Sequence, residues 1–190
     1  PKKVSVRGIQ LDGDYWHIYG LHVTQAGDNG IKVEGSHNRI ERCTFSYNDD
    51  TGLQLGFGHN FSDSGHGSSN DGSWCSYNDV VDCDSYLNCD ADNYGSSGRA
   101  DLFGWVDANG SFQGNGNGIK LGGNGTGGSS KGVHEVWRCV AFNNNKTGSV
   151  KGFDENSHKG GVKVINCLAF GNGYDYMFED CADAATFSNI

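Results

Sequence analysis

Three charged residues occupy equivalent places in a repeated sequence pattern and could do chemistry together. Lys120 lies within the segment GNGNGIKLGGNG (114–125), and Asp101 and Asp154 occupy the corresponding places in the segments before and after it. Charges of alternating sign in such a row could form an exposed salt-bridge ladder, worth about 0–1 kcal/mol per pair. The same groups could instead remove a proton from a carbon next to a substrate carboxylate, because that reaction needs a base and a charge that holds the developing enolate.

The catalytic interpretation depends on the protonation state of the lysine. A lysine can act as a base only when its pKa lies well below the usual value of about 10.4. Two neighbouring aspartates alone would raise that pKa, whereas a Ca²⁺ ion bound by them would reverse the effect and bridge to an acidic sugar. This interpretation assigns Lys120 as the base and Asp101 and Asp154 as Ca²⁺ ligands in the β-elimination of a uronic acid polymer. The residues by themselves leave the salt-bridge ladder and the catalytic site both open.

The elements that must position these residues are short strands that recur about every 22 residues. Gln10, Lys32 and Gln54 are 22 residues apart, and each follows a glycine and an apolar residue. A coil of this length, stacked on its neighbours at about 4.8 Å, is the geometry of a right-handed parallel β-helix. The 31 glycines and the scarcity of helical periodicity also indicate an all-β chain. The alignment predicts one outward-facing row: Gln10, Lys32, Gln54, Asp101, Lys120, Asp154 and Met177.

A second repeat places a cysteine five residues before an asparagine in four segments. A free cysteine behaves as a small buried hydrophobe, and asparagine tolerates the left-handed backbone of a tight turn. We therefore predict a stack of thiols in the interior and a neighbouring ladder of asparagines that hydrogen-bond from coil to coil. The four pairs are Cys43 and Asn48, Cys83 and Asn88, Cys139 and Asn144, and Cys167 and Asn172.

The composition restricts the classes of function. The 190 residues predict a single domain over 1–190, and the net charge of −9 without a basic block argues against nucleic acid or an anionic membrane as partner. No apolar run approaches the roughly 20 residues of a membrane span. Seven cysteines exclude a complete disulfide framework. Because the chain is negatively charged, an acidic substrate would need a local cation such as Ca²⁺.

Several segments resemble the family 9 polysaccharide lyases, which are pectate lyases. The resemblance lies in residues 7–45, DTGLQL (50–55), SYNDVVDCDSYLN (76–88), GNGIKLGGNG (116–125) and KGFDENSHKGGVKVINCLAFGNG (151–173). It implies a pectin-lyase-like parallel β-helix and a secreted enzyme that cleaves polygalacturonate by Ca²⁺-assisted β-elimination. It also implies that Lys120, the lysine of the GNGIKLGG motif, is the Brønsted base.

The resemblance is interrupted around Asp101. Family members carry two carboxylate segments about one coil apart, whereas only GRADLFGW (98–105) precedes Lys120 here. Asp101 can match one of those segments, so about one coil with most of the Ca²⁺ ligands is expected to be missing. Asp50 lies two ladder positions from Lys120 in the predicted alignment and is given no calcium role.

Two functions of different class remain open from the sequence. The first is an extracellular lyase for pectate-type galacturonan, or for rhamnogalacturonan within the same fold. The second is a non-catalytic β-helix that binds carbohydrate or builds an extracellular assembly. The missing coil favours the second function, and the intact Lys120 motif favours the first. The sequence stops within a coil, so we expect either a longer polypeptide or self-association through open strand edges.

Overall fold

The computed structural model describes residues 7–56, 75–88, 99–101, 104–106, 112–113, 116–122, 132–144, 150–156, 158, 160–179 and 185–190. Successive coils of the chain contribute short strands to three parallel sheets that run along one axis. The predicted all-β parallel β-helix is therefore confirmed. Within the described residues, no helix is long and apolar enough to cross a membrane.

The three sheets take their strands in chain order. The first sheet contains β1 (Ile9–Leu11), β4 (Ile31–Val33), β7 (Leu53–Leu55), β13 (Ile119–Lys120), β16 (Lys151–Asp154) and β19 (Tyr174–Met177). The second sheet contains β2 (His17–Tyr19), β5 (Arg39–Glu41), β8 (Asp79–Val81), β14 (His134–Trp137), β17 (Val162–Ile165) and β20 (Ala185–Ser188). The third sheet contains β3 (His22–Thr24), β6 (Thr44–Ser46), β9 (Asp84–Tyr86), β15 (Val140–Phe142) and β18 (Leu168–Phe170). In the first coils, Ile9 pairs with Ile31 and Ile31 with Leu53, which confirms the 22-residue period.

The turn between the second and third sheets explains why cysteines recur at one place. This turn is two residues long, and its first residue has a left-handed backbone, with φ of 51° at Arg42, 52° at Asp82, 51° at Arg138 and 53° at Asn166. The second residue is the cysteine, so a constant turn length brings each thiol to the same interior position. Cys43, Cys83, Cys139 and Cys167 are buried and free, and the backbone N–H of Cys43 lies 3.4 Å from Cys83 Sγ. The predicted thiol stack is confirmed.

The asparagine ladder is also confirmed, and it closes the turn after the third sheet. The backbone N–H of Asn48 donates to Asn88 Oδ1 at 3.1 Å, and that of Asn88 donates to Asn144 Oδ1 at 3.1 Å. Asn144 continues the ladder to Asn172 at 3.0 Å. Because each side chain satisfies the backbone of the preceding coil, the ladder fixes the stacking register along the axis.

The segment around Asp101 does not follow the predicted repeat. Strands β10 (Arg99–Asp101), β11 (Gly104–Val106) and β12 (Phe112–Gln113) form a separate antiparallel sheet, in which Asp101 is opposite Gly104. The prediction that Asp101 belongs to the outward row of the first sheet is therefore wrong. Among the described strands, β7 pairs directly with β13, and only β8 and β9 lie between them in the second and third sheets. Gln54 and Lys120 therefore lie in adjacent coils, although the chain between them is far longer than 22 residues.

Candidate active site

The outward row of the first sheet is polar except for Met177, and its four central members are buried. Its members are Gln10, Lys32, Gln54, Lys120, Asp154 and Met177, and we call them the polar row. Lys120 alternates with Ile119 and Leu121, which are fully buried in the core, so its side chain leaves the strand on the opposite face. Lys120 is nevertheless only 6% exposed. The sequence prediction of an exposed lysine is therefore wrong. Charge–charge interactions of Lys120 are stronger in this buried environment than they would be in open solvent.

Asp50, which the sequence alignment places two ladder positions from Lys120, lies beside it. Lys120 Nζ is 3.8 Å from Asp50 Oδ1, and both side chains are largely buried. Asp50 precedes Gln54 by four residues in the coil that stacks directly on Lys120, because β7 pairs with β13. The sequence alignment placed Asp101 between these two coils and therefore separated Asp50 from the lysine. The adjacent carboxylates in NDDTGLQL (48–55) were a visible signal, but their neighbour in space depended on which coils stack.

Burial dominates the electrostatics of Asp50. Removal of the carboxyl from solvent raises the pKa of Asp50 above its usual value, and the charge of Lys120 opposes that rise. The negative charge of Asp28 adds to the rise. The hydroxyl of Thr51 donates a hydrogen bond to Asp50 Oδ1 at 3.1 Å, which favours the ionised form. Lys120 and Asp50 therefore form a buried ion pair, in which each group is the nearby opposite charge of the other.

Asp154 lies on the other side of Lys120, as predicted, and is its Cα partner in the neighbouring strand. Its two carboxylate oxygens accept hydrogen bonds from the protein itself. The side-chain amide of Asn117 donates to Oδ2 at 2.9 Å, and the backbone N–H of Asn156 donates to Oδ1 at 3.0 Å. Lys151 Nζ also lies 3.4 Å from Oδ2. Asp154 is 3% exposed, so these contacts hold the coil after Lys120 in place.

The described residues do not fit a Ca²⁺ site. Calcium takes six to eight oxygen ligands, whereas the described part of the chain contains no group of three or more His, Cys, Asp or Glu that could hold a metal ion. The Asp154 oxygens are engaged by donors, and Asp50 faces an ammonium group. The side chain of Asp101 lies outside the described residues, so its assignment as a ligand stays a prediction.

The family described as "Pel9A-like, right handed beta helix region" matches residues 2–111, which is more than half of the chain. The chain belongs to this family. Its parallel β-helix is therefore right-handed, and the resemblance to the family 9 polysaccharide lyases is confirmed.

Relatives of this Pel9A-like chain are pectate lyases by name. Pectate lyase L of Dickeya chrysanthemi is 35% identical over 214 residues, which cover 90% of this chain and 45% of the relative. Pectate lyase L of Paenibacillus polymyxa (strain SC2) is 31% identical over 232 residues, with 97% and 48% covered. The crystal structure of pectate lyase Pel9A matches with 29% identity and a TM-score of 0.44, covering 96% of this chain and 53% of that one.

The lengths of these alignments are informative. This Pel9A-like chain spans about half the length of the curated relatives that it matches. Yet the alignments of 214 and 232 residues exceed the 190 residues of the entire chain. The relatives therefore carry residues within the aligned region that this chain lacks. Such a difference agrees with the direct pairing of β7 with β13 and with the expected loss of about one coil.

Proposed function

We propose that this chain is an extracellular polysaccharide lyase that cleaves pectate-type uronic acid polymers by β-elimination, with Lys120 as the base. The observation that carries the proposal is the position of Lys120 on a Pel9A-like β-helix, in the polar row and within 3.8 Å of Asp50. A parallel β-helix does not need a buried ion pair at this place for its stability, since burying the pair has a desolvation cost of several kcal/mol per ion. A catalytic role would explain why the pair is present despite this cost.

The proposed reaction requires Lys120 as a neutral amine, so its ammonium group first passes a proton to the neighbouring carboxylate of Asp50, whose pKa is raised by burial. The lysine nitrogen then takes the proton from C5 of a uronic acid residue, next to the carboxylate. The electron pair of that C–H bond forms the C4–C5 double bond, the C4–O bond breaks, and the leaving oxygen takes a proton from water. Asp50 lies beside the ammonium group that forms and holds the lysine in position. The products are a shortened polymer and an unsaturated uronic acid end.

Ca²⁺ is the cofactor that a lyase of this family would use with its acidic substrate. The family resemblance implies Ca²⁺ as cofactor with Asp101 as a remaining ligand, and the alternating charges of the row add Asp154 as a second candidate ligand. The described residues do not supply enough free oxygens, because the carboxylate of Asp154 already accepts protein hydrogen bonds. We propose that calcium, if it assists, is held largely by the acidic substrate.

This proposal makes a prediction about calcium affinity. Calorimetric titration of Ca²⁺ into the chain without substrate is expected to give no tight binding, because too few carboxylate oxygens are free among the described residues. The Asp154→Asn variant should behave like the parent chain in this titration. A sub-micromolar affinity in the parent would contradict the prediction and would require ligands outside the described residues.

A second function is favoured by one observation. The direct pairing of β7 with β13, with β10–β12 folded as a separate sheet, agrees with the loss of about one coil that the sequence resemblance predicts. A chain that lost its metal ligands with that coil would keep a carbohydrate-binding scaffold without the reaction. It would bind polygalacturonate, release no unsaturated product, and show no dependence on Lys120.

The two functions are separated by an assay on polygalacturonate. The absorbance of the unsaturated product is followed with the parent chain, once with added Ca²⁺ and once with chelator. The lyase proposal predicts a rise in absorbance in at least one of these two conditions. Binding to immobilised polygalacturonate without any rise in absorbance, at every Ca²⁺ concentration, would favour the non-catalytic scaffold. Activity on rhamnogalacturonan alone would retain the lyase and change its substrate.

A further inference from the structure

The turn between the first and second sheets contains a second ladder of hydrogen-bond acceptors, and a histidine occupies its third place. The backbone N–H of Trp16 donates to Asn38 Oδ1 at 2.8 Å, and that of Asn38 donates to Asn78 Oδ1 at 2.8 Å. In the next coil the acceptor is a ring nitrogen: the backbone N–H of Asn78 donates to His134 Nδ1 at 3.1 Å. His134 Nδ1 thus accepts the hydrogen bond that an asparagine Oδ1 accepts in the two preceding coils.

This position requires a neutral imidazole. Nδ1 can accept a hydrogen bond only if it carries a lone pair, and a doubly protonated ring has two N–H groups and no acceptor. His134 is fully buried, and its Nε2 has no hydrogen-bond partner among the described residues. Protonation would therefore break the ladder at Asn78 and place a positive charge in the interior.

A second buried histidine packs on the first. The rings of His134 and His158 lie 4.4 Å apart between centroids, with an interplanar angle of 32°. His158 is 2% exposed, and its Nε2 lies 3.0 Å from the carbonyl oxygen of Gly132. Burial lowers the pKa of both histidines below the usual value, and the charge of His158 lowers the pKa of His134 further. Two such rings cannot both carry a proton at this distance without strong repulsion.

The groups around the pair offer no compensating negative charge. Cys75 lies in the adjacent coil, and burial raises the pKa of its thiol to about 12, so the thiol is neutral. Glu135 follows His134 on the outward face of the strand, where Lys163 Nζ lies 2.6 Å from its carboxylate. Glu155 contacts His158 through its backbone, since the N–H of His158 donates to its carbonyl oxygen at 3.0 Å. Within the described residues, no carboxylate is among the groups that shift the pKa of either histidine.

The pair is connected to the coil that carries Lys120. Gly122 lies two residues after Lys120, and a side chain there would meet the carbonyl oxygen of Glu155 and lie 2.8 Å from His158 Cβ. The end of β13 therefore rests directly on the His158 segment. A change in the packing of the two rings would be transmitted to the strand of the candidate base.

We propose that His134 and His158 form an acid-sensitive lock, which holds the coil of Lys120 closed while both rings are neutral and releases it when one ring is protonated. The direction follows from linkage. The unfolded or opened chain binds protons at an ordinary histidine pKa near 6.5, whereas the closed coil resists them. The stabilisation is fully present above about pH 6.5 and is lost progressively as the pH falls below that value. This lock does not depend on whether the chain is a lyase.

Hydrogen exchange of the native chain tests the lock. Amide protection in 116–122 and 132–144 is measured from pH 7.5 to pH 4.5 and corrected for the intrinsic exchange rate. For the parent chain we expect protection to fall by up to about a hundredfold per pH unit below pH 6.5, because both histidines have a lowered pKa in the closed coil. His134→Asn should reduce this slope to about tenfold per pH unit, because only His158 then titrates on opening, while asparagine supplies the acceptor that the ladder uses in the two preceding coils. His37→Asn, at an exposed position with φ of 58° that asparagine tolerates, should keep the slope of the parent.

Two results would overturn the lock. One is a His134→Asn variant that loses protection with pH as steeply as the parent chain. The other comes from nitrogen NMR of the parent chain with labelled histidine, which does not depend on the folding of a variant. The His134 ring is expected to remain the neutral Nε2–H tautomer at pH 5.5 as long as the coil is protected. A His134 signal that titrates near pH 6.5 in the closed state would contradict the proposal.

Discussion

Replacing Lys120 with alanine is expected to lower the turnover of polygalacturonate by about 10²–10⁴-fold, the range that a general base contributes. It should also lower the melting temperature. The sequence alone predicts no effect on stability, because it places the lysine on an exposed row, but Lys120 is 6% exposed and lies 3.8 Å from the buried Asp50. Without the lysine, Asp50 would be a buried carboxylate without that cation, at a cost of about 1–3 kcal/mol. Asp50 is expected to take up a proton in response.

Lys120→Arg separates catalysis from stability. Arginine keeps a positive charge beside Asp50, so the melting temperature should remain close to that of the parent chain. Guanidinium stays protonated at ordinary pH and cannot act as a base, so turnover should be lost. The two variants are compared by product absorbance and thermal unfolding under the same conditions. A structural lysine would give the opposite pattern, in which arginine preserves whatever activity the parent chain has.

Replacing Asn88 with alanine is expected to give the largest loss of stability. Asn88 is fully buried in the middle of the asparagine ladder, and its Oδ1 accepts both the backbone N–H and the side-chain amide of Asn48, at 3.1 and 2.9 Å. Alanine leaves both donors without that acceptor, and each buried unsatisfied group costs about 1–3 kcal/mol. For a chain of this size, 1 kcal/mol corresponds to about 2–4 °C. We expect the melting temperature to fall by about 10 °C, or the chain not to fold.

A matched control removes an asparagine that the ladder does not use. Asn166 is exposed and has a left-handed backbone with φ of 53°, which glycine adopts without strain. Asn166→Gly should therefore change the melting temperature by no more than about 2 °C. Equal losses for Asn88→Ala and Asn166→Gly would show that the ladder does not hold the coils together.

The parts of the fold that the sequence predicted are those in which each coil repeats the same side chain. Cys43 and Asn48 recur at a constant offset because the turns before them have constant length, so the interior stack and the ladder are both visible in the sequence. The 22-residue period follows from the same regularity. These features depend on local geometry that every coil satisfies independently.

The candidate site was predicted less completely because it depends on which coils are neighbours. Asp101 carries a motif that looks like the start of a coil, but its strand pairs with β11 and leaves the solenoid. The consequence is that Asp50, which is distant from Lys120 in sequence, comes to lie beside it. The burial of Lys120 was missed for a related reason, since alternation along a strand indicates which face a side chain is on but not what covers that face.

Chemical rescue of the Lys120→Ala variant tests the central claim most directly. Turnover of polygalacturonate is measured for the parent chain and for the variant, with increasing concentrations of a small primary amine. The account predicts an active parent chain, an inactive variant, and a rate in the variant that rises with the concentration of free amine, because the amine replaces the missing base. Parental turnover in the Lys120→Ala variant without any amine would contradict the assignment of Lys120 as the base.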